Sequence, residues 1–388
     1  VKIRDVESAW LRCPLPEGKR HVSDFGRIET FDAVLVTITT EDGVRGYGEA
    51  KPSVGSAGDG SALCAIIRSE LRPALLGADP RDVGRLFGRM TNGVRSPLAE
   101  RFGRAMPILG RRGAHAAAIA GVDLALWDLA AKLRGLSVLE LLGGAVRDRI
   151  PAYASGGWAP EEGVGAELAR YVAAGFRAVK MRIGAMDGSA ERSLARVRAA
   201  RAALGPDVAL MVDAHGTMNV AEARRFAAAA APLHLAFLEE PVLSEDRTGL
   251  AEVRAQSPLA IAAGESEAGC VDFAELIAAR AVDVLQPDLA IAGGLSEGLR
   301  IGALAYAHRL ALAPHCWGSA VSFQAARTLA FACPAGAYVE VPMGGAPLLR
   351  EMAPIDLSLH DGGLLPPRGA GFGVEPDPEF VRRHTHAS

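Results

Sequence analysis

Val208-Ala209-Leu210-Met211-Val212-Asp213, Leu235-Ala236-Phe237-Leu238-Glu239 and Ile261-Ala262-Ala263-Gly264-Glu265 are three short apolar runs, each closed by a carboxylate. The carboxylates lie 26 residues apart, from Asp213 to Glu239 and again from Glu239 to Glu265. An interval of that size holds one strand, one helix and two loops. Equal βα units stacked side by side bring successive strand ends to one rim. Three carboxylates on neighbouring strand ends then converge, and like charges that close repel strongly unless a cation lies between them. An all-oxygen cluster suits a hard cation, so Mg²⁺ is expected at Asp213, Glu239 and Glu265, with Mn²⁺ as the alternative and zinc disfavoured.

The same alternation extends in both directions from this stretch. Strands are predicted near 152–155, 177–182, 208–213, 235–239, 260–264, 282–286, 311–314 and 337–341. Alanine-rich helices are predicted between them, near 161–174, 189–204, 219–231, 245–256, 270–279, 294–308 and 318–331. Eight strands separated by seven helices predict an α/β fold, a modified (β/α)7β TIM barrel over about residues 150–350. Upstream, residues 1–135 differ. Ala33–Thr39 reads as a strand, Asp42-Gly43 as a hairpin turn, and 62–76, 80–91 and 114–134 as helices. This is an α+β capping domain, with a polar loop at about 13–31 and a Gly/Ser-rich loop at about 51–61 that reads as mobile. Residues 351–388 lose the period and are expected to return to the cap.

The chain has 388 residues, 49% hydrophobic and 22% charged, with a net charge of −3. Length fits a barrel of about 250 residues plus a smaller domain. The charge points to neither nucleic acid nor an anionic membrane as a partner. No basic leader followed by an apolar run is found, and no run of 18 apolar residues. Cys13, Cys64, Cys270, Cys316 and Cys333 are odd in number and lack metal spacing. Free thiols are expected, and a cytoplasmic location with them. Lysine is rare, so each one at a strand end is notable.

Each strand from the second to the eighth ends in a polar or ionisable residue. Lys180 and Arg182 close the second and share a face by strand alternation. Asp288 follows the sixth, His315 the seventh and Glu340 lies in the eighth. The C-terminal rim of such barrels is where catalysis happens. Asp288 and His315, on adjacent strands, form a carboxylate–imidazole pair. The carboxylate fixes the tautomer and raises the basicity of the other ring nitrogen, which makes a general base or acid.

In their order, these motifs resemble the enolase superfamily and, within it, the mandelate racemase-like subgroup. The matching stretches are Lys180-Met181-Arg182, Val212-Asp213-Ala214-His215, Glu239-Glu240-Pro241, Gly264-Glu265, Gln286-Pro287-Asp288 with Gly293-Gly294, Pro314-His315 and Val339-Glu340. Asp42–Glu49 and Ala125-Leu126-Trp127-Asp128-Leu129 resemble that family's cap, so the likeness covers nearly the whole chain. The resemblance implies Mg²⁺ on the three acids and removal of the proton alpha to a substrate carboxylate. It implies Lys180 as a cation near that carboxylate, and Glu340 as an electrophilic group, best protonated when it hydrogen-bonds the substrate. It implies that the two N-terminal loops select substrate, with His21 as a contact. It also implies a small carboxylate partner and a homo-oligomer.

Two positions depart from the family pattern. Arg182 stands where racemases of this subgroup carry a second lysine that acts as base, and a guanidinium is a poor proton acceptor. Racemisation needs proton transfer on both faces of the carbon. With His315 as the competent base, elimination is easier to accommodate, giving an acid-sugar dehydratase that forms a 2-keto-3-deoxy acid. A racemase, epimerase or cycloisomerase is the alternative, and a non-catalytic barrel relative is a further one. His215 stands where the family often has asparagine; it is either a second acid or a hydrogen-bonded support for the ligands. Trp158, after the first barrel strand, lines the pocket or packs.

Overall fold

In the computed structural model, residues 1–24, 26–55, 58–92 and 112–386 are described. The cap is built on an antiparallel sheet of β1 (Ile3–Pro14), β4 (Thr30–Thr40) and β5 (Arg45–Ala50), in that order. Between β1 and β4 the chain forms a second, smaller hairpin, β2 (His21–Ser23) with β3 (Gly26–Ile28). The stretch expected as a polar loop is therefore partly sheet. Its three residue pairs carry too few apolar side chains to show a strand period. The 62–76 helix is also broken: Ser61–Ile66 and Arg72–Leu75 flank a π turn over Ile67–Leu71.

Helix Ala114–Lys132 lies across β4 and β5 and also packs on the barrel helix Gly294–Ala307. It is long and apolar enough to cross a membrane, and 83% of its most apolar window is buried inside the protein. Close approach explains a glycine on each side, Gly121 in the helix and Gly48 in β5. A Cβ on Gly48 of β5 would lie 1.9 Å from the Gly121 carbonyl oxygen, so strand and helix touch backbone to backbone.

The barrel strands are β6 (Ile150–Gly156), β7 (Ala178–Arg182), β8 (Ala209–Asp213), β9 (Leu235–Glu239), β10 (Ile261–Ala263), β11 (Val284–Leu285), β12 (Ala311–Leu312) and β13 (Val339–Pro342). They pair in parallel in the order β12-β11-β10-β9-β8-β7-β6-β13. The seam between β12 and β13 closes through a parallel bridge from Leu312 to Gly336, with the Ala337 N–H donating to the Leu312 carbonyl at 2.8 Å. The chain after 351 runs back along the molecule. Strand β14 (Gly363–Leu364) pairs with the start of β6. The Val138 N–H then donates to the Gly371 carbonyl at 2.7 Å, and the His386 N–H to that of Trp10 at 2.8 Å.

Strand alternation divides the barrel interior into layers. Tyr153, Ala178, Met211, Phe237, Ala262, Val284 and Ala313 form an apolar plug. Two residues further along their strands come Ser155, Lys180, Asp213, Glu239, Gln286 and His315, all buried. The plug thus sets a dry floor directly beneath a polar layer. Register sets Asp213 opposite Glu239 within that layer and brings Arg182, one step above Lys180, opposite Asp213.

Candidate active site

Asp213, Glu239 and Glu265 each offer an oxygen within 4.8 Å of the other two, and all three are buried. Asp213 and Glu239 point inward because Met211 and Phe237 do. Glu265 is different, since alternation from the inward Ala262 would turn it away. Gly264, at φ 133°, breaks the alternation, and a Cβ there would meet the Phe273 ring at 2.6 Å. Among the described residues Glu265 Oε2 is buried without a hydrogen bond. Three clustered carboxylates with an oxygen still unsatisfied fit a hard divalent cation.

Two basic residues neutralise part of this charge. Lys180 Nζ donates to both carboxylate oxygens of Glu239, at 2.7 and 2.8 Å, and lies 3.0 Å from Glu340 Oε1. Burial opposes its charge, but Glu239 and Glu340 outweigh that and hold the ammonium well above the ordinary lysine value. Lys180 is therefore a fixed cation. Arg182 Nη1 donates to Asp213 Oδ2 and to His215 Nε2. It joins a triad carboxylate to the imidazole two residues on, and its guanidinium carbon lies 5.9 Å from the Trp317 ring centroid.

His315 Nδ1 and Asp288 Oδ2 are 2.8 Å apart and wholly buried, which leaves Nε2 facing the triad, 3.4 Å from Glu265 Oε2. Burial disfavours the imidazolium, yet Glu265, Glu340 and Asp288 together raise its pKa. A residue outside the sequence-based set reaches this pair from the cap. Lys51 is buried, its Nζ 3.9 Å from Asp288 Oδ2, donating to the carbonyls of Trp317 at 2.7 Å and Val54 at 3.0 Å. The start of the 51–61 loop is thus anchored in the barrel mouth. The rarity of lysine in this chain was its one sequence signal.

Glu340 departs from expectation. Its neighbours are mainly cationic. Burial pushes the carboxyl up, but Lys180 and His315 and the Cys316 N–H, donating at 2.9 Å, pull it down to about 2. It is held as a carboxylate. Glu240 is pushed the opposite way. Burial, then the charges of Glu265 and Glu239, push its carboxyl well above the ordinary range.

His215 and Glu240 both take left-handed backbones, at φ 46° and 36°. Such positions store about 1–3 kcal/mol each and are kept where geometry matters. His215 Nδ1 donates to Asp24 Oδ2 at 2.8 Å, with both side chains 4% exposed. Asp24, in the small cap hairpin, was not singled out from sequence. Trp317 stacks on Phe31 of β4 at 6.3 Å and meets Trp158 edge-on at 5.6 Å, so Trp158 belongs to an aromatic wall beside Arg182. The backbone of His21 is in β2; its side chain lies outside those described.

An eight-stranded barrel with a carboxylate triad, fixed cations and an aspartate–histidine pair on one rim defines an enzyme that works on carboxylate carbon acids. Comparison with known proteins agrees. Residues 163–380 match the family model of the enolase C-terminal domain-like fold, and residues 9–143 that of the mandelate racemase/muconate lactonizing enzyme N-terminal domain. The chain belongs to the enolase superfamily, in its mandelate racemase-like subgroup. It is 35% identical to D-galactonate dehydratase of Ralstonia nicotianae, over 90% of each chain. It is 33% identical to D-galactarolactone cycloisomerase of Agrobacterium fabrum, over 88% of each. Among solved structures, a Streptomyces coelicolor racemase with bound magnesium superposes with a TM-score of 0.85 at 29% identity, covering 99% of this chain and all of that one.

Proposed function

We propose that this enzyme dehydrates an acid sugar, an aldonate or aldarate, to the 2-keto-3-deoxy acid, with Mg²⁺ as its metal. The observation that carries the reading is the single base. His315 presents Nε2 to the triad with Nδ1 held by Asp288, whereas position 182 is an arginine already donating to Asp213 and His215. A divalent cation held by Asp213, Glu239 and Glu265 would stabilise the negative charge that develops on the substrate carboxylate.

His315 Nε2 takes the alpha proton, and the C–H electron pair moves toward the carboxylate. Lys180, fixed in charge, adds a positive field there. When the electrons return, the beta carbon–oxygen bond breaks and the hydroxyl leaves as water, taking the Nε2 proton of a doubly protonated His215 whose Nε2 has first been released from Arg182 Nη1. The enol left behind tautomerises to the keto acid. His215 after β8 and His315 after β12 follow the third and seventh strands of eight, on opposite sides of the mouth. Base and acid can then act on opposite faces of the substrate. The 33% identical cycloisomerase supports a second reading, in which a substrate hydroxyl or ring oxygen is transferred within the molecule.

A screen of aldonates and aldarates with Mg²⁺ in D₂O separates these readings. Dehydration is expected, seen as a keto acid that reacts with semicarbazide. Isomers carrying deuterium at the alpha carbon, without keto acid, would replace the dehydratase reading with the isomerase one.

A further inference from the structure

We propose that Asp24 is a positioning residue for the second imidazole: the cap hairpin carries the carboxylate that fixes His215, as Asp288 fixes His315 inside the barrel. The proposal rests on the dehydratase reading, with His215 as the acid. The two pairs are alike in geometry. Asp288 Oδ2 meets His315 Nδ1 at 2.8 Å, and Asp24 Oδ2 meets His215 Nδ1 at 2.8 Å. They differ in origin. Asp288 and His315 follow adjacent barrel strands, whereas Asp24 and His215 are 191 residues apart and in different domains.

Both carboxylate oxygens of Asp24 are committed to the barrel rim. Oδ1 accepts the Met186 N–H at 2.8 Å, just past β7, while Oδ2 takes the imidazole. The Asp24 side chain is only 4% exposed, whereas Val22 beside it in the hairpin is 63% exposed. A buried carboxylate at the tip of an exposed two-stranded ribbon is an insertion, made by seating the hairpin on the rim. With Nδ1–H given to Asp24, the ring turns Nε2 toward Arg182 and Asp213, the side of the carboxylate triad. The hairpin contact that holds Asp24 on the rim is thus also the one that orients His215.

The test uses the whole enzyme with Mg²⁺ and its acid-sugar substrate in D₂O. Alpha-deuterium exchange and keto-acid formation are measured side by side for wild type, Asp24→Asn, His215→Asn and the double variant. Asp24→Asn is expected to slow keto-acid formation about 10- to 100-fold, the range for loss of an orienting partner. Exchange, which needs only His315, is expected to stay within about threefold, KM is expected to be little changed, and the double variant is expected to be no slower than His215→Asn. Asp24→Glu, which keeps the carboxylate, is expected to recover part of the elimination rate, and melting curves near wild type establish that each variant is folded. A parallel fall of exchange and elimination with a raised KM would make Asp24 a latch only and overturn the proposal. So would losses that multiply in the double variant. A wild type that forms no keto acid from any acid sugar sinks the dehydratase reading and this proposal with it. A wild type that eliminates, beside an Asp24→Asn that partitions identically, sinks this proposal alone.

Discussion

Three side chains decide the chemistry at the level of single residues: Glu265 at the triad, His315 at the base and Arg182 in place of a second lysine. His315→Asn removes the Nε2 lone pair but leaves a polar side chain of similar bulk beside Asp288. Turnover is expected to fall about 10²- to 10⁴-fold, the usual share of a general base, while Mg²⁺ binding persists. Calorimetric titration beside an activity assay reads both; near-normal turnover would remove His315 from the mechanism. The triad has its own signature. Mg²⁺ is expected to raise the melting temperature of the wild-type enzyme, by about 2.7 kcal/mol of stability at a hundredfold excess over Kd. Glu265→Gln is expected to lose that response and keep its fold, because Glu265 Oε2 has no hydrogen bond to forfeit. A variant that still answers to Mg²⁺ as wild type does would take Glu265 out of the ligand set. Residues such as Asp213, Glu239 and His315 were legible in sequence because each ends a strand, and strand ends in a barrel share a rim. Lys51 and Asp24 were not, because nothing local marks a loop residue whose partner lies in another domain.

Among the elements, the joint between the long cap helix and the barrel helix Gly294–Ala307 sets how the cap sits. Asp123 accepts the Ser296 N–H at 2.9 Å and the Ser296 hydroxyl at 2.6 Å, and Trp127 Nε1 donates to that same hydroxyl at 3.0 Å. Burial, against the Ser296 hydrogen bonds, pushes the Asp123 carboxyl up to about 7. A carboxyl raised in the folded state binds its proton more tightly there than in the unfolded chain. Its contribution is full below the unfolded value of 3.8 and is lost as pH rises through about 7. Asp123→Asn lacks this titration. Its melting temperature relative to wild type is expected to increase from pH 5 to pH 8; a constant difference over that range would refute the shift. The seven barrel helices were readable from their spacing to within a few residues. The strands β11 and β12 shrink to two residues each, since proline follows both runs and removes a ladder donor. The small hairpin of β2 and β3 was hidden by its polarity.

At the scale of the whole molecule, cap and barrel share a hydrophobic cluster, beside a second one that lies within the cap. Leu11, Phe31, Leu35 and Leu124 of the cap belong to the same buried cluster as Val179, Val212 and Leu285 of the barrel. The returning tail reinforces that union. Phe372 is buried, and its N–H donates to Asp128 Oδ1 at 2.7 Å. Phe372→Ala is expected to cost about 3–5 kcal/mol and to lower the melting temperature of the protein as one unit. Far-ultraviolet circular dichroism and tryptophan fluorescence are expected to report one coincident transition. Two separated transitions would mean that the cap unfolds independently of the barrel.

The sequence by itself determined the barrel, the triad and the aspartate–histidine pair. All three follow from a repeat in which each unit folds locally and stacks on the next. Alternation along a strand then says which side chains face inward, without any knowledge of distant contacts. Only the tertiary structure decided which way the two glutamates are pushed, with Glu340 drawn down beside Lys180 and His315 and Glu240 raised by burial and by Glu265 and Glu239. It also decided that Asp24 and Lys51 enter the site from the cap. Charge states and inter-domain contacts depend on which groups end up adjacent in space, and spacing along the chain carries no record of that.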